Sequence, residues 1–224
     1  MTLTIILADC GIELIPDKIK KHPAIQKNLL EDNYASQVLD NALHHSAMKN
    51  LNNYQKRGRP DITHLCLLNA LGSPLNLNGK LTLYVHTVQN KIFKINPEIR
   101  LARNYNRFKG LIGKLLKEGK IESEANLLIS TINGGLTDLI KPIENKEIIL
   151  FSRKGKLNNN YQELFPDNLS KNYIVIIGGF QKGNFQEGIL KLSNNIISIS
   201  KHSLDAWVVV NKVISFYEIR NNIA

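Results

Sequence analysis

Two stretches of the chain concentrate residue types that do chemistry. The first is Arg57-Gly58-Arg59-Pro60-Asp61-Ile62-Thr63-His64-Leu65-Cys66-Leu67-Leu68, in which Pro60 and Asp61 open a helix that ends before Gly72-Ser73-Pro74. A carboxylate in a first helical turn is favoured by the helix dipole whatever the protein does. Asp61 behind two arginines also makes a site that can hold a phosphate or a base beside a proton acceptor. The second stretch is Ile176-Ile177-Gly178-Gly179-Phe180-Gln181-Lys182-Gly183-Asn184-Phe185. A glycine-rich turn after an apolar strand lets the backbone approach a ligand closely and often cradles part of a nucleotide. Its spacing is not GxGxxG, so it does not specify a dinucleotide.

The charge pattern points to a partner. The chain has 29 basic and 19 acidic residues in 224, a net charge of +10. Lys91, Lys94, Arg100, Arg103, Arg107, Lys109, Lys114, Lys117 and Lys120 face only Glu98 and Glu118, so this stretch carries +7. Five of the seven arginines (Arg57, Arg59, Arg100, Arg103, Arg107) fall between positions 57 and 107. A lysine run is usually a solvated face. Arginine's planar fork suits bidentate phosphate contacts and stacking on bases, and this favours nucleic acid as the partner. Tyr105 and Phe108 lie within the cluster, spaced either to stack on bases or to join a helical core. Arg100, Arg103 and Arg107 share one face if their helix reaches back to Pro97.

Positioning these residues requires an α/β scaffold. Strands are expected at Thr2 to Ala8, Lys80 to His86, Lys91 to Ile95, Glu147 to Phe151, Tyr173 to Ile177 and Ile196 to Ser200. Helical spacing runs through Val38 to Met48 and Tyr105 to Leu116, and Leu204 to Ile219 closes the chain as an apolar helix. The strands around Gln89 and Asn90 read as a hairpin, and with the basic helix that follows they form an insertion at about 78–120. Asn158 to Asn160 and Pro166 to Asn168 mark a surface loop. Trp207, Val209, Val213, Phe216 and Tyr217 are too many apolar residues for a helix packed on one side of a monomer, which predicts a two-fold interface.

Composition excludes other classes. With 43% apolar and 21% charged residues, disorder, collagen and coiled coil are out. A chain of this length can bury roughly 70% of the surface its unfolded form exposes, so one core needs no disulfide or metal. Cys10 and Cys66 lack CxxC spacing and read as small buried hydrophobes in a reducing compartment. His44 and His45 point to different sides of their helix, and no histidine belongs to a metal motif, so no metal site is expected. No GxSxG supports a hydrolase. The start of the chain reads as a strand rather than a signal peptide, and no apolar run approaches the roughly 18 residues of a membrane span. A cytoplasmic protein, with no membrane partner, is expected.

Arg59-Pro60-Asp61-Ile62-Thr63-His64-Leu65-Cys66-Leu67-Leu68, then Ser73-Pro74-Leu75-Asn76, then Asn96-Pro97 with Arg100, Arg103, Arg107, Phe108, Gly110 and Leu111, resemble one family in order along the chain. The sequence is similar to the Emg/Nep pseudouridine methyltransferases of small-subunit ribosome biogenesis, members of the SPOUT class. The lean length resembles archaeal members. The resemblance implies a SPOUT-type α/β domain with a deep trefoil knot, S-adenosyl-L-methionine held in that knot at about 147–219, and a homodimer. It places the cofactor at Gly178, Gly183, Asn184, Phe185, Ile199, Ser200, Lys201, His202, Ser203 and Leu204, with Leu150 and Phe151 close by. Ser203 stands where the family commonly has proline. Small-subunit rRNA is the implied substrate, held by Arg57, Arg59, Arg100, Arg103 and Arg107. Asp61 is the candidate proton acceptor, with Arg59 steadying charge on the ring. Asp61 either takes the proton as the methyl arrives or only orients the base. A different class of reading stays open, an rRNA-binding assembly factor that works with other ribosome assembly proteins and whose methylation is secondary.

Overall fold

Every residue of Leu3–Cys10 is buried, because this strand runs through the middle of a sheet covered on both faces. The computed structural model describes residues 2–124, 126–166 and 171–223, so part of the loop expected at Pro166 to Asn168 lies outside the described residues. In chain order the elements are β1 (Leu3–Cys10), α1 (Pro23–Gln26), α2 (Asn41–Met48), α3 (Pro60–Leu71), α4 (Pro74–Leu77), β2 (Leu81–Thr87), β3 (Ile92–Ile95), α5 (Tyr105–Glu118), β4 (Lys120–Ser123), β5 (Asn126–Ile132), α6 (Leu136–Ile140), β6 (Lys146–Leu157), α7 (Tyr161–Leu164), β7 (Asn172–Gly178), α8 (Glu187–Leu190), β8 (Asn195–Ser198) and α9 (Ala206–Arg220). The eight strands form one sheet in the order β4-β5-β3-β2-β1-β7-β6-β8.

The half from β2 to β8 is parallel, and β3, β5 and β4 extend it as antiparallel strands. β2 pairs in parallel with β1 and belongs to the central sheet, so the antiparallel extension begins at β3, one strand later than the hairpin pattern suggests. It also runs past position 120 through β4 and β5, two strands that apolar alternation does not predict. Ile121 and Ile129 are buried in them, but Glu122, Ser123, Asn126 and Leu127 are exposed, so the edge hairpin shows little periodic signal.

Alternation along β1 divides the core. Leu3, Ile5 and Leu7 pack with α3, α5 and α9 residues such as Cys66, Phe108, Val213 and Tyr217. Ile6 and Ala8 face the other layer, with Leu136 and Ile140 of α6 and Ile189 of α8. A smaller cluster under α1 and α2 joins Ile15, Ile25, Leu39 and Met48.

Helix α5 starts at Tyr105, where the Asn104 side chain accepts the Arg107 N–H at 3.1 Å, and it ends at Gly119 with φ +78°. Arg100 and Arg103 therefore lie in the preceding loop and do not share a helical face with Arg107. Helix α2 likewise starts at Asn41, with Asp40 as its N-cap, so Val38 and Leu39 precede it.

Strand β6 meets β8 twice. Ile149, Leu150 and Phe151 pair with Asn195, Ile196 and Ile197, then the chain makes an excursion and Lys156 and Leu157 pair with Ile197 and Ser198. Gly155 permits this return, since a Cβ there would lie 2.6 Å from the Ile196 carbonyl oxygen and from the Ile197 backbone. Gly155→Ala is expected to cost about 1–3 kcal/mol by overpacking, read from urea unfolding. A variant as stable as the parent would mean that β8 yields freely at this crossing.

Candidate active site

A cleft of about 960 Å³ opens where β6, β7 and β8 end, the edge at which open α/β sheets bind ligands. Its walls are the β6 excursion, the turn after β7 and the loop after β8. Gly178, Gly183, Asn184, Phe185, Ile199, Ser200, His202, Ser203 and Leu204 line it, and Lys201 is not among the lining residues. Sequence reasoning missed Ser152, Arg153, Lys154, Gly155, Lys156 and Asn194. Their only sequence signal is that an apolar strand turns abruptly basic after Phe151.

The glycines serve the protein's own packing. A Cβ on Gly178 would lie 2.7 Å from the Phe180 ring and 3.2 Å from the Phe185 ring, and those rings stack edge to face at 5.3 Å. Gly183 has φ +118° and faces the Lys56 side chain. Phe180, Phe185 and Lys56 lie against these two glycines, which also line the cleft. Beyond β8, the Ser198 hydroxyl donates to the Ser200 carbonyl at 2.7 Å, and the Ser200 hydroxyl accepts the His202 N–H at 3.0 Å. These bonds shape the loop that Ser203 continues.

Beneath the cleft lies a buried polar junction. Asp9, at the end of β1, is fully buried with φ +55°, a conformation that aspartate tolerates better than most residues. Its Oδ2 accepts from Lys56 Nζ at 2.8 Å and from the Gln186 N–H at 3.0 Å, and Oδ1 has no partner. The same Lys56 ammonium lies 4.5 Å from the Phe180 ring centroid. The Asp9 N–H donates to His86 Nδ1 at 3.2 Å, so Nε2 carries the proton and donates to Asn90 Oδ1 at 3.1 Å. His86 is therefore neutral, and its 4.0 Å approach to Asp9 Oδ1 is not an ion pair.

Three residues beyond Lys56, the Arg59 N–H donates to the Gly11 carbonyl at 3.0 Å, fixing the start of α3. Arg59 Nε and Nη2 then clasp Asp61 Oδ1 and Oδ2 at 2.8 and 2.7 Å. Asp61 is both a first-turn residue and one half of a bidentate pair. The contact raises the Arg59 pKa, chiefly through the hydrogen bonds to Asp61. Tyr105 donates to Asp40 Oδ2 at 3.0 Å, as does Lys109 at 2.9 Å. Burial, then Asp40, pushes the Tyr105 phenol well above its ordinary range.

Several residues read as RNA contacts have internal work. Arg57 closes a fork on Glu13, Nε to Oε1 at 2.6 Å and Nη2 to Oε2 at 2.5 Å, so its guanidinium is committed within the protein. Lys109 is buried against Asp40 and takes its charge off the surface. Phe108 is fully buried and stacks on His64 at 4.3 Å, which closes the base-stacking reading for it, and the half-buried Tyr105 has its hydroxyl held by Asp40. Arg100, Arg103 and Arg107 are exposed, with no ion pair among the described residues. Burial pushes the Cys10 thiol up to about 12 and Cys66 well above 9.0, so both stay protonated and inert.

Comparison with known proteins agrees with this geometry. The sequence profile of the EMG1/NEP1 methyltransferase family matches residues 5–218. The chain is 38% identical over 222 residues to the ribosomal RNA small subunit methyltransferase Nep1 of Staphylothermus marinus, covering 95% of this chain and 93% of that protein. It is 41% identical to the Nep1 of Thermococcus sibiricus, covering 96% and 97%. Among solved structures, Archaeoglobus fulgidus Nep1 bound to S-adenosylhomocysteine superimposes with a TM-score of 0.85 at 35% identity, covering 99% of this chain and 100% of that one.

The junction makes folding sensitive to pH. Burial pushes the His86 and His44 pKa values below the ordinary 6.5, outweighing the Asp9 and Asp40 carboxylates near them. The unfolded chain then binds more protons than the folded one below about pH 6.5. Stability is therefore full above that pH and falls as pH drops toward the depressed values. Thermal unfolding between about pH 7.5 and 5 should show a falling midpoint, and His86→Gln should reduce the fall. A flat profile would show that the folded protein protonates these rings freely.

Proposed function

The chain belongs to the EMG1/NEP1 methyltransferase family, and we propose that it methylates N1 of a pseudouridine, with Asp61 and Arg59 at the reacting base. It is an S-adenosylmethionine-dependent methyltransferase of small-subunit ribosomal RNA. The observation that carries this reading is the likeness, over nearly the whole chain, to a relative bound to S-adenosylhomocysteine.

The cleft fits the cofactor in size and chemistry. Its volume suits a ligand of this size. Ile177, Ile196, Leu204 and Val209 offer apolar surface, while Asn184, Asn194, Ser198 and Ser200 offer polar groups. When bound, S-adenosylmethionine supplies an electrophilic methyl group on a sulfonium that departs as a neutral thioether. In pseudouridine the ring is joined to ribose through carbon, leaving a ring N–H that uridine lacks. As the N–CH3 bond forms, that proton must leave. Asp61, half-exposed beside Arg59, accepts a hydrogen bond from the ring N–H and fixes the nitrogen toward the cleft, and Arg59 steadies charge gathering on the ring oxygens. Lys56 holds the cofactor turn and the Arg59 segment in one register.

We further infer a homodimer and a knotted C-terminal segment. Trp207, Val209 and Phe216 remain half-buried and Ile219 exposed on α9 after Val210, Val213, Ile214 and Tyr217 have been absorbed into the core, which leaves an apolar face for a second copy. The return of β6 past Ile197 before α9 packs on α3 favours a threaded chain. No helix among the described residues is long and apolar enough to cross a membrane, and a cytoplasmic site of action accords with an rRNA substrate.

Labelled methyl from S-adenosylmethionine should reach a hairpin containing pseudouridine and not its uridine counterpart. Asp61→Asn should lower kcat at least tenfold while changing RNA affinity little. Transfer to neither RNA, with both bound tightly, would leave an assembly factor as the better reading.

Arg103→Ala and Arg107→Ala should each weaken RNA binding and flatten its dependence on salt by about one counterion. Binding unaffected at every salt concentration would reduce these arginines to a solvated face.

A further inference from the structure

Four cationic side chains line the cleft: Arg153, Lys154 and Lys156 from the β6 excursion, and Lys182 from the turn after β7. No aspartate or glutamate among the described residues lines it, not even Asp205, which sits between the lining residues Leu204 and Ala206. All four cations are exposed, and none has an ion pair or side-chain hydrogen bond among the described residues. Elsewhere much of the charge is neutralised, as in Lys120–Glu122, Lys171–Glu147 and Lys191–Glu187. Four cations with no ion pair among the described residues and no acidic side chain in the same lining therefore meet at the mouth of one cleft, apart from the exposed Arg100, Arg103 and Arg107.

This charge does not suit the cofactor alone. S-adenosylmethionine has a sulfonium and an ammonium against one carboxylate, so it enters as a cation among cations. Its product, S-adenosylhomocysteine, has no net charge. A site with this imbalance discriminates against its own substrate form unless an anion arrives to screen the rim. The RNA supplies one, because a base that reaches into the cleft brings its flanking phosphates across the mouth.

We propose that Arg153, Lys154, Lys156 and Lys182 form a second RNA-backbone surface, separate from Arg100, Arg103 and Arg107, which grips the phosphates flanking the target nucleotide. Phosphates held there neutralise the rim and tighten S-adenosylmethionine binding, and by linkage the cofactor tightens RNA binding equally. The proposal rests on the RNA methyltransferase reading and adds a route by which the substrate calls in its own cofactor.

The test uses the full chain, a pseudouridine-containing RNA hairpin, S-adenosylmethionine and S-adenosylhomocysteine. Wild type is compared with a double variant, Arg153→Gln with Lys154→Gln, and with Lys182→Gln, all at exposed positions. The slope of log affinity for RNA against log salt should shrink by about 0.7–0.9 for each phosphate that the variant no longer neutralises. In RNA-free wild type, S-adenosylmethionine should bind several-fold more weakly than S-adenosylhomocysteine at low salt. That ratio should move toward one with added salt, with saturating RNA, or in the double variant. The wild-type ratio keeps the proposal testable even if a variant folds poorly. An unchanged salt slope in the variants overturns it, as does a cofactor ratio indifferent to RNA. A tenfold loss of S-adenosylhomocysteine affinity with RNA binding intact also overturns it, because the rim would then grip the cofactor carboxylate. Wild type that transfers no methyl to any RNA, while the variants still flatten the slope, would sink the enzymatic reading and leave the surface standing.

Discussion

The arrangement of the whole site depends on one buried carboxylate. Asp9 Oδ2 is shared between the Lys56 ammonium and the Gln186 N–H. These partners lie on separate segments of chain, one leading to Arg59 and Asp61 and the other closing the turn beneath the cleft. Burying two charges is expensive, and the pair is held by hydrogen bonds from both sides. Removing one partner from such a pair typically costs about 3–5 kcal/mol, because the charge left behind has no water to turn to. The αL backbone at Asp9 adds strain that the surrounding bonds must hold. A surface arrangement of the same residues would cost less but would leave the two segments free to slide.

Burial also sorts the basic residues by role. Where a cation has a buried carboxylate within reach, it becomes part of the frame: Lys56 on Asp9, Arg57 on Glu13, Lys109 on Asp40. Gln89 at the hairpin turn joins the second of these, donating to Glu13 Oε2 at 3.0 Å, so the β2–β3 turn is tied to the same junction. Arg100, Arg103, Arg107 and the rim of the cleft have no such anchor among the described residues, and their charge stays exposed. The three interior pairs lie around Arg59 and Asp61, whereas the unpaired cations lie outside them. That layout suits a reaction at a fixed point on a long polyanion, with rigidity at the base and adaptable charge along the backbone.

Much of this was legible in the sequence. β1, β2, β3, β7 and α5 fell within a residue or two of the expected bounds, because their apolar periods are regular and their ends carry glycine, asparagine or proline. The glycine-rich turn from Gly178 to Phe185 was legible as a turn after an apolar strand, and the fold places it in the lining of the cleft. What was hidden depends on distance in sequence. Arg57 looks as available as Arg59 until the fold brings Glu13, forty-four residues earlier, onto it. Lys109 looks like part of a basic face until Asp40 meets it across α5. The extent of the β6 excursion was hidden for another reason: its cations are ordinary surface residues, and only the return along β8 turns them into one wall of a cleft.

The Arg59–Asp61 clasp bears on how the proton leaves. Each Asp61 oxygen already accepts one guanidinium N–H, which leaves the remaining lone pairs for the base. On the proposed reading a ring N–H bonded there is oriented well, because the fork fixes the plane of the carboxylate and the first turn of α3 fixes its height. Complete transfer of the proton before methylation is harder to sustain. Every unit by which an imide's pKa exceeds that of its acceptor costs about 1.4 kcal/mol, and ordinary values for the two classes of group differ by several units. Asp61 also reinforces the proton on Arg59, so the pair is built to remain an ion pair. In the proposed reaction the carboxylate therefore points the nitrogen at the methyl group and receives the proton only as the new bond forms, with Arg59 holding the charge in place.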